Sequence, residues 1–317
     1  MIRVAVIGAG HFGREHARIY STVESAALVA VCDINESNGR AVADRYGAGF
    51  VSDYRELIGK VDAVSLAVPT ASHHSIACDL LKAHVAVLIE KPIARTLEEA
   101  DEIIATAERN HAVLQIGHLE RFNPAVIAAG RITTQPRFFE AHRLSVFTPR
   151  SLDIDVVMDL MIHDIDVVLS LVQSDVIEVR AAGVPILTPR IDIANARVEF
   201  DNGCVANLTA SRVSSERIRK LRFFQPHHYI SVDYSAQEAA TVAVRQSEEG
   251  NMQFESHLLP VERGEPLRLE IESFLRAVTG APVSVSGLEG RRALALATEI
   301  VEKIRGQAKR AGVPFAV

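Results

Sequence analysis

Cysteine is scarce: the 317 residues hold three, at positions 32, 78 and 204, too few and too scattered for a disulfide framework or a Cys-x-x-Cys metal site. No apolar run approaches the roughly 18 residues that a membrane-spanning helix needs. Met1-Ile2-Arg3 leads directly into a strand-like pattern, without a leader-like stretch. A cytoplasmic protein with no membrane partner is therefore expected. Positive charge is not in excess either, since 34 Lys and Arg against 40 Asp and Glu give a net charge of -6. That balance argues against nucleic acid as a partner, although it leaves room for a local basic pocket that holds a phosphate. Internal repeats and low-complexity linkers are also missing.

Apolar residues make up 48% of the chain, enough to fill two cores, and the length suits roughly two domains of ~150 residues each. Val4-Ala5-Val6-Ile7 reads as a short buried strand. It runs into Gly8-Ala9-Gly10-His11-Phe12-Gly13 and then a helix-compatible stretch, residues 14–20. In that context Gly8 allows a tight turn, Gly10 lets the backbone approach a pyrophosphate, and Gly13 lets the helix pack on the strand. A second strand, Leu28-Val29-Ala30-Val31-Cys32, ends at Asp33, where a carboxylate accepts from the adenosine ribose. Asp33 would repel a 2′-phosphate, and no cation follows until Arg40, so NAD is favoured over NADP.

The alternation continues. Residues 36–46 read as a helix stopped by Gly47, Ala63-Val64-Ser65-Leu66-Ala67-Val68 as a strand, and Ser72 as the cap of a helix through Lys82. Thr96-Leu97-Glu98-Glu99 is a capping box, and Val113-Leu114-Gln115-Ile116 is a further strand. Val85-Ala86-Val87-Leu88-Ile89 reads as a strand covered on both faces, and it ends on Glu90-Lys91-Pro92. This places an ammonium group at the carboxyl end of a strand, where ligands of such sheets bind. The pattern predicts an α/β fold, a Rossmann doubly wound parallel sheet over residues 1–120.

Residues 121–317 are expected to form a second domain of α+β type with an open, mainly antiparallel sheet. Residues 156–171 read as one helix with Asp159, His163 and Asp166 on one face. Asp201-Asn202-Gly203 turns a hairpin between two alternating stretches, and 176–184, 221–225, 229–234 and 241–245 read as strands. Residues 288–305 read as a closing helix. One face of this sheet is a candidate for pairing subunits into a homo-oligomer, a dimer or tetramer.

Taken together, Gly8 to Gly13, Pro69-Thr70-Ala71-Ser72-His73, Glu90-Lys91-Pro92 and Asp159-Leu160-Met161-Ile162-His163-Asp164 resemble the Gfo/Idh/MocA family of sugar and cyclitol oxidoreductases. The resemblance runs across the whole chain in order and spacing. It implies a nicotinamide-binding domain, a carboxy-terminal domain with an open sheet, and a cleft between them. By that carry-over Gly8, Gly10, His11, Phe12, Gly13, Asp33, Pro69, Thr70, His73 and Glu90 serve the cofactor, with His73 near the nicotinamide ribose. Lys91, Asp159 and His163 face the substrate. The chemistry asks for such groups independently, because taking hydride from a secondary alcohol requires a base within reach of the hydroxyl proton. An imidazole such as His163 suits that role, Lys91 can orient the oxygen or relay the proton, and Asp159 can fix the tautomer. The plainer alternative for His163 is a histidine satisfied by Asp159. Asp159, His163 and Asp166 are conceivable metal ligands, but one helix face supplies too few, so no metal is expected.

A narrower resemblance lies in Gly117-His118-Leu119-Glu120-Arg121-Phe122-Asn123-Pro124, Glu140-Ala141-His142-Arg143-Leu144 and the hairpin over 192–211. These are similar to bacterial UDP-N-acetylglucosamine 3-dehydrogenases, which implies oxidation at C3 of a UDP-N-acetylhexosamine and an aminotransferase that consumes the product. Arg121, Asn123, Arg143 and Arg150 are then candidates for a nucleotide-sugar phosphate or its hydroxyls. Against this, the arginines can pair with Asp153, Asp155 or Glu140 and merely hold the loop. Rival functions are a cyclitol or free-sugar dehydrogenase, an NAD-dependent glycosidase, and a non-catalytic NAD(H)-sensing module, the last disfavoured by the intact Lys91 and His163.

Overall fold

Short apolar runs separated by helices satisfy their backbone polar groups best as neighbouring parallel strands covered on both faces. In the computed structural model, which describes residues 1–148, 154–246, 252–310 and 312, that is how the first part of the chain folds. Strands β1 (Ile2–Ile7), β2 (Ala26–Cys32), β3 (Gly49–Val51), β4 (Ala63–Leu66), β5 (Ala86–Glu90) and β6 (Leu114–Gly117) form one parallel sheet in the order β3-β2-β1-β4-β5-β6. The order reverses beside β1, so the loop after it opens at the switch point where ligands of such sheets bind.

Four helices connect these strands: α1 (His11–Tyr20), α2 (Glu36–Tyr46), α3 (His73–Lys82) and α4 (Leu97–Arg109). Gly47 ends α2 in the left-handed conformation, φ +66°, which costs glycine no Cβ clash. Half of the expected capping box forms at α4: the Thr96 side chain accepts from Glu99 N at 3.2 Å, while the Glu99 carboxylate accepts from Arg95 N at 3.1 Å. Ser72 precedes α3 as expected but makes no capping bond, because the chain enters through a 3-10 turn, Thr70–Ser72.

The second sheet has eight strands: β7 (Phe138–Leu144), β8 (Val176–Val184), β9 (Ile193–Phe200), β10 (Val205–Ser211), β11 (Ile218–Gln225), β12 (His228–Asp233), β13 (Glu238–Gln246) and β14 (Met252–Leu258). Their order is β14-β13-β12-β11-β7-β10-β9-β8. Every pairing is antiparallel except β10 with β7. Buried Ala194, Ala196, Val198 and Phe200 alternate along β9, the pattern of a sheet with one covered face. Helix α5 (Pro124–Arg131) packs on β12 and β13, and α6 (Ile162–Val172) on β7 and β10. The helix expected over 156–171 is not uniform, since it opens with a π-turn, Val157–Met161, before α6 begins.

The expected boundary at residue 120 needs correction. The chain divides into residues 1–119 with 265–294, and residues 120–264 with 295–317. Helix α7 (Pro266–Val278) puts Leu267, Ile271, Phe274 and Leu275 into the first unit's core beside Val4, Ile19, Tyr20 and Leu88. Burial of such side chains is worth about 1.5–3 kcal/mol each, so α7 belongs energetically to the first unit despite its distance in sequence. The division falls within the last helix, α8 (Gly287–Arg310). Among the described residues no helix is long and apolar enough to cross a membrane.

Candidate active site

The loop after β1 is shaped by what its glycines exclude. Gly8 has φ +98°, and a Cβ there would lie 2.5 Å from Ala67 O; at Gly13 a Cβ would meet Gly8 O at 1.7 Å. Neither position admits a side chain. Gly10 differs, because among the described residues no heavy atom lies within 4 Å of where its Cβ would be. That open space sits at the N-cap of α1, whose first turn carries no acidic residue, so unpaired N–H groups face a place where an anion fits. His11 and Phe12 stand exposed in that first turn.

At the end of β2, Asp33 accepts from Ala9 N at 2.6 Å and Asn35 N at 2.7 Å, so it braces the glycine loop and retains lone pairs for a ribose. Gly8, Gly10, Asp33, Asn38, Tyr54 and Pro69 are among the residues lining a cavity of about 530 Å³. These residues fit an adenosine and its pyrophosphate. Arg40 is occupied by Glu36 at 2.7 Å and by the Phe50 ring. Arg55 also lines this cavity, a cation that the sequence reading did not pick out. It stacks over Tyr54 at 4.7 Å and lies 3.4 Å from Asp53.

The peptide between Lys91 and Pro92 is cis, and the half-buried Lys91 follows β5 directly. His73, expected at the nicotinamide ribose, is buried instead. Its ring nitrogens lie 3.0 Å from Pro92 O and 2.9 Å from Val68 O. Burial holds its pKa below the ordinary value, outweighing the two carbonyls and Glu90, which favour the protonated ring. It clamps the loop that carries Lys91.

Glu90 likewise turns inward. Its Oε1 is 2.8 Å from His16 Nε2, and His16 Nδ1 is 2.9 Å from Ser65 Oγ, which meets Tyr20 Oη at 2.9 Å. A Cβ on Gly117 would crowd the Glu90 carboxylate at 3.2 Å. His16 was missed by sequence reasoning, although its place on the buried face of α1 with Gly13, Ala17 and Tyr20 was a usable signal. Pro69 and Thr70 lie in the turn after β4, Pro69 exposed.

In the second unit the π-turn carries Asp159, and α6 carries His163 in its first turn, both half-buried. An inserted π residue is a common device for re-aiming side chains at functional sites. Asp166 does not share their exposure, being buried with Arg121 Nη1 at 3.5 Å.

Two of the expected substrate contacts are spent elsewhere. Arg143 is buried and grips Asp164 in a two-pronged bond, Nε to Oδ2 at 2.7 Å and Nη2 to Oδ1 at 2.9 Å. Its Nη1 donates to Glu120 at 2.9 Å, and the guanidinium lies 4.9 Å over the Tyr234 ring. Asn123 caps α5 by accepting from Ala125 N, and it donates to Glu120 Oε2 at 3.2 Å and Tyr234 O at 3.0 Å. With three of its N–H groups taken by buried carboxylates, Arg143 braces the fold at this point. Arg150 and Asp153 lie outside the described residues.

A glycine loop at a helix N-terminus, an acid at the end of β2 and a lysine at the end of β5 define a dinucleotide-dependent oxidoreductase. Residues 2–118 match the oxidoreductase family with an NAD-binding Rossmann fold, and residues 128–225 match the Gfo/Idh/MocA C-terminal domain. A UDP-N-acetylglucosamine 3-dehydrogenase of Acidithiobacillus ferrooxidans is 39% identical over 94% of this chain and 96% of its own. The solved structure of a UDP-N-acetylglucosamine 3-dehydrogenase from that organism superposes with a TM-score of 0.90 at 38% identity, covering 96% of this chain and 98% of the other. An inositol 2-dehydrogenase of Rhizobium meliloti is 26% identical over 96% of this chain and 97% of its own. The chain belongs to the Gfo/Idh/MocA family of NAD-binding oxidoreductases, as its motifs implied.

Proposed function

We propose that this protein oxidises the C3 hydroxyl of a UDP-linked N-acetylhexosamine to a ketone. NAD supplies the acceptor for the hydride that leaves C3. Lys91 holds the hydroxyl oxygen, His163 takes its proton, and Asp159, earlier on the same helical stretch, orients the imidazole. Each group does what an alcohol oxidation needs from a protein, since the hydroxyl proton must leave as the C–H bond breaks. Asp33 selects NAD over NADP by accepting from the ribose hydroxyls that a 2′-phosphate would replace.

The observation that carries the substrate assignment is the 39% identity, over nearly the full length, to a UDP-N-acetylglucosamine 3-dehydrogenase. The inositol 2-dehydrogenase matched over a similar span is only 26% identical, so a cyclitol is the weaker reading. The product, a 3-keto nucleotide sugar, is the kind of carbonyl compound that an aminotransferase consumes. The reading includes a cytoplasmic homo-oligomer formed through the open face of the second sheet, where Phe138, Phe224 and Tyr229 cluster with ring centroids 5.9 and 5.2 Å apart. Light scattering that returns a monomer at micromolar concentration would remove the oligomer from it.

The test of the reaction is isotopic. UDP-N-acetylglucosamine carrying deuterium at C3 should transfer that label to the reduced nicotinamide. Label retained in the sugar while NADH forms would assign the oxidation to another carbon.

A further inference from the structure

With Arg143 and Asn123 committed to the fold, the diphosphate of the proposed substrate needs another partner. Arg219 lies on β11 directly opposite Arg143 on β7. Strand alternation puts it on the same face as buried Leu221 and Phe223, and Arg143 shares its own face with buried Phe139 and Ala141. Two arginines therefore meet across adjacent strands, an arrangement that like charges disfavour.

Arg143 holds both nearby carboxylates as hydrogen-bonded partners, whereas Arg219 feels them only at a distance. Both oxygens of Asp164 go to Arg143, and the oxygens of Glu120 go to Arg143 and Asn123. Among the described residues no carboxylate lies within ion-pair distance of Arg219. Arg217, just ahead of β11, adds a third cation near Arg219. Crowding by protein, and the charges of Arg143 and Arg217, pull the Arg219 pKa below its ordinary value, with Glu120 and Asp164 opposing. Yet Arg219 is exposed, so a ligand can reach it, and Asp164, which anchors its cross-strand neighbour, directly follows His163 in the chain.

We infer that Arg219, supported by Arg217, is the subsite for the substrate's diphosphate. The inference rests on the nucleotide-sugar reading proposed above and names the residue that makes it specific. A neutral sugar or cyclitol offers Arg219 no anion, whereas a diphosphate offers a planar guanidinium several acceptor oxygens and two negative charges.

The probe is UDP, titrated into NADH-loaded protein so that the adenosine cavity is filled, with uridine as the uncharged comparison. The wild-type chain should bind UDP more tightly than uridine. Arg219→Ala should weaken UDP by about 10- to 100-fold, the scale of lost charge-assisted hydrogen bonds, and leave uridine unchanged. Arg219→Lys should recover part of the loss, because it keeps the charge without the fork. Arg180→Ala, on exposed β8 and paired with Glu178, should match the wild type. NADH binding, measured by fluorescence, and an unchanged melting temperature establish that each variant is folded. Equal UDP affinity in the wild type and Arg219→Ala would overturn the subsite while the nucleotide-sugar reading stands. A wild-type chain that does not distinguish UDP from uridine would overturn both.

Discussion

The candidate cofactor site of the first unit and the Asp159–His163 region of the second are built from different materials. The first is made of backbone: glycines that leave no room or open room, a helix N-terminus, and the ends of β2 and β5. Its chemistry follows from sterics, and Gly8 and Gly13 accept no substitute at 2.5 and 1.7 Å from a carbonyl oxygen. The second is made of side chains that must choose partners. Arg143, Asn123 and Asp166 are as polar as any ligand contact, and burial commits all three to the fold. A motif that constrains backbone predicts its own geometry, whereas a polar side chain near a site predicts only that something will pair with it.

The sharpest break in that comparison is expected at the two proton-handling groups. Lys91→Ala and His163→Ala should each lower kcat by about 10²- to 10⁴-fold with NAD affinity nearly intact. A variant that keeps near-full activity on the true substrate removes that residue from the mechanism.

Arg143→Met should act on stability instead. Two buried carboxylates, Asp164 and Glu120, would lose their cation, and breaking such a pair costs about 3–5 kcal/mol. Urea unfolding measures it, with NADH binding retained by whatever remains folded. A stable Arg143→Met with only a raised KM would return Arg143 to the substrate.

Asp33→Ser should weaken NAD by roughly tenfold, about 1.4 kcal/mol, and narrow its advantage over NADP. Titration of both cofactors checks this, and NADP binding the wild type as tightly as NAD would contradict the role of Asp33.

The smallest effect concerns His73. Its folded pKa is depressed, while in the unfolded chain the ring titrates near its ordinary value of about 6.5. Below that pH the unfolded state binds the extra proton, so stability falls as pH drops from about 6.5 toward the folded value and is unaffected above it. The slope is at most about 1.4 kcal/mol per pH unit. Melting temperatures on either side of pH 6.5 should show it, and His73→Gln should flatten it. An unchanged slope in that variant would place the dependence elsewhere.

Much of this was legible beforehand, for reasons that differ by element. The β1 loop, Asp33 and Glu90-Lys91-Pro92 announce themselves because each follows an apolar run whose covered faces permit only a parallel strand. Helix α7 carries the usual signals, Pro266 at its start and Leu267, Ile271, Phe274, Leu275 and Val278 at helical spacing, but no local pattern says that its core begins at Val4. Strand β14 is exposed almost throughout, so it lacks the alternation that marks a half-buried strand. The inward turn of His73 and Glu90 was hidden because their partners, Val68 O, Pro92 O and His16, come together only once the sheet has formed. Arg219 was passed over because an arginine in a run with Arg217, Lys220 and Arg222 looks like solvated surface until Arg143 is seen opposite it.

The central claim is that the protein oxidises the sugar of a nucleotide sugar with NAD. Its most direct test is kcat/KM, followed by NADH release, for UDP-N-acetylglucosamine, free N-acetylglucosamine and myo-inositol. Binding energy from the remote nucleotide should favour the UDP sugar by ~10²-fold or more over either neutral compound. Free N-acetylglucosamine or myo-inositol turned over as efficiently as the UDP sugar would contradict the assignment.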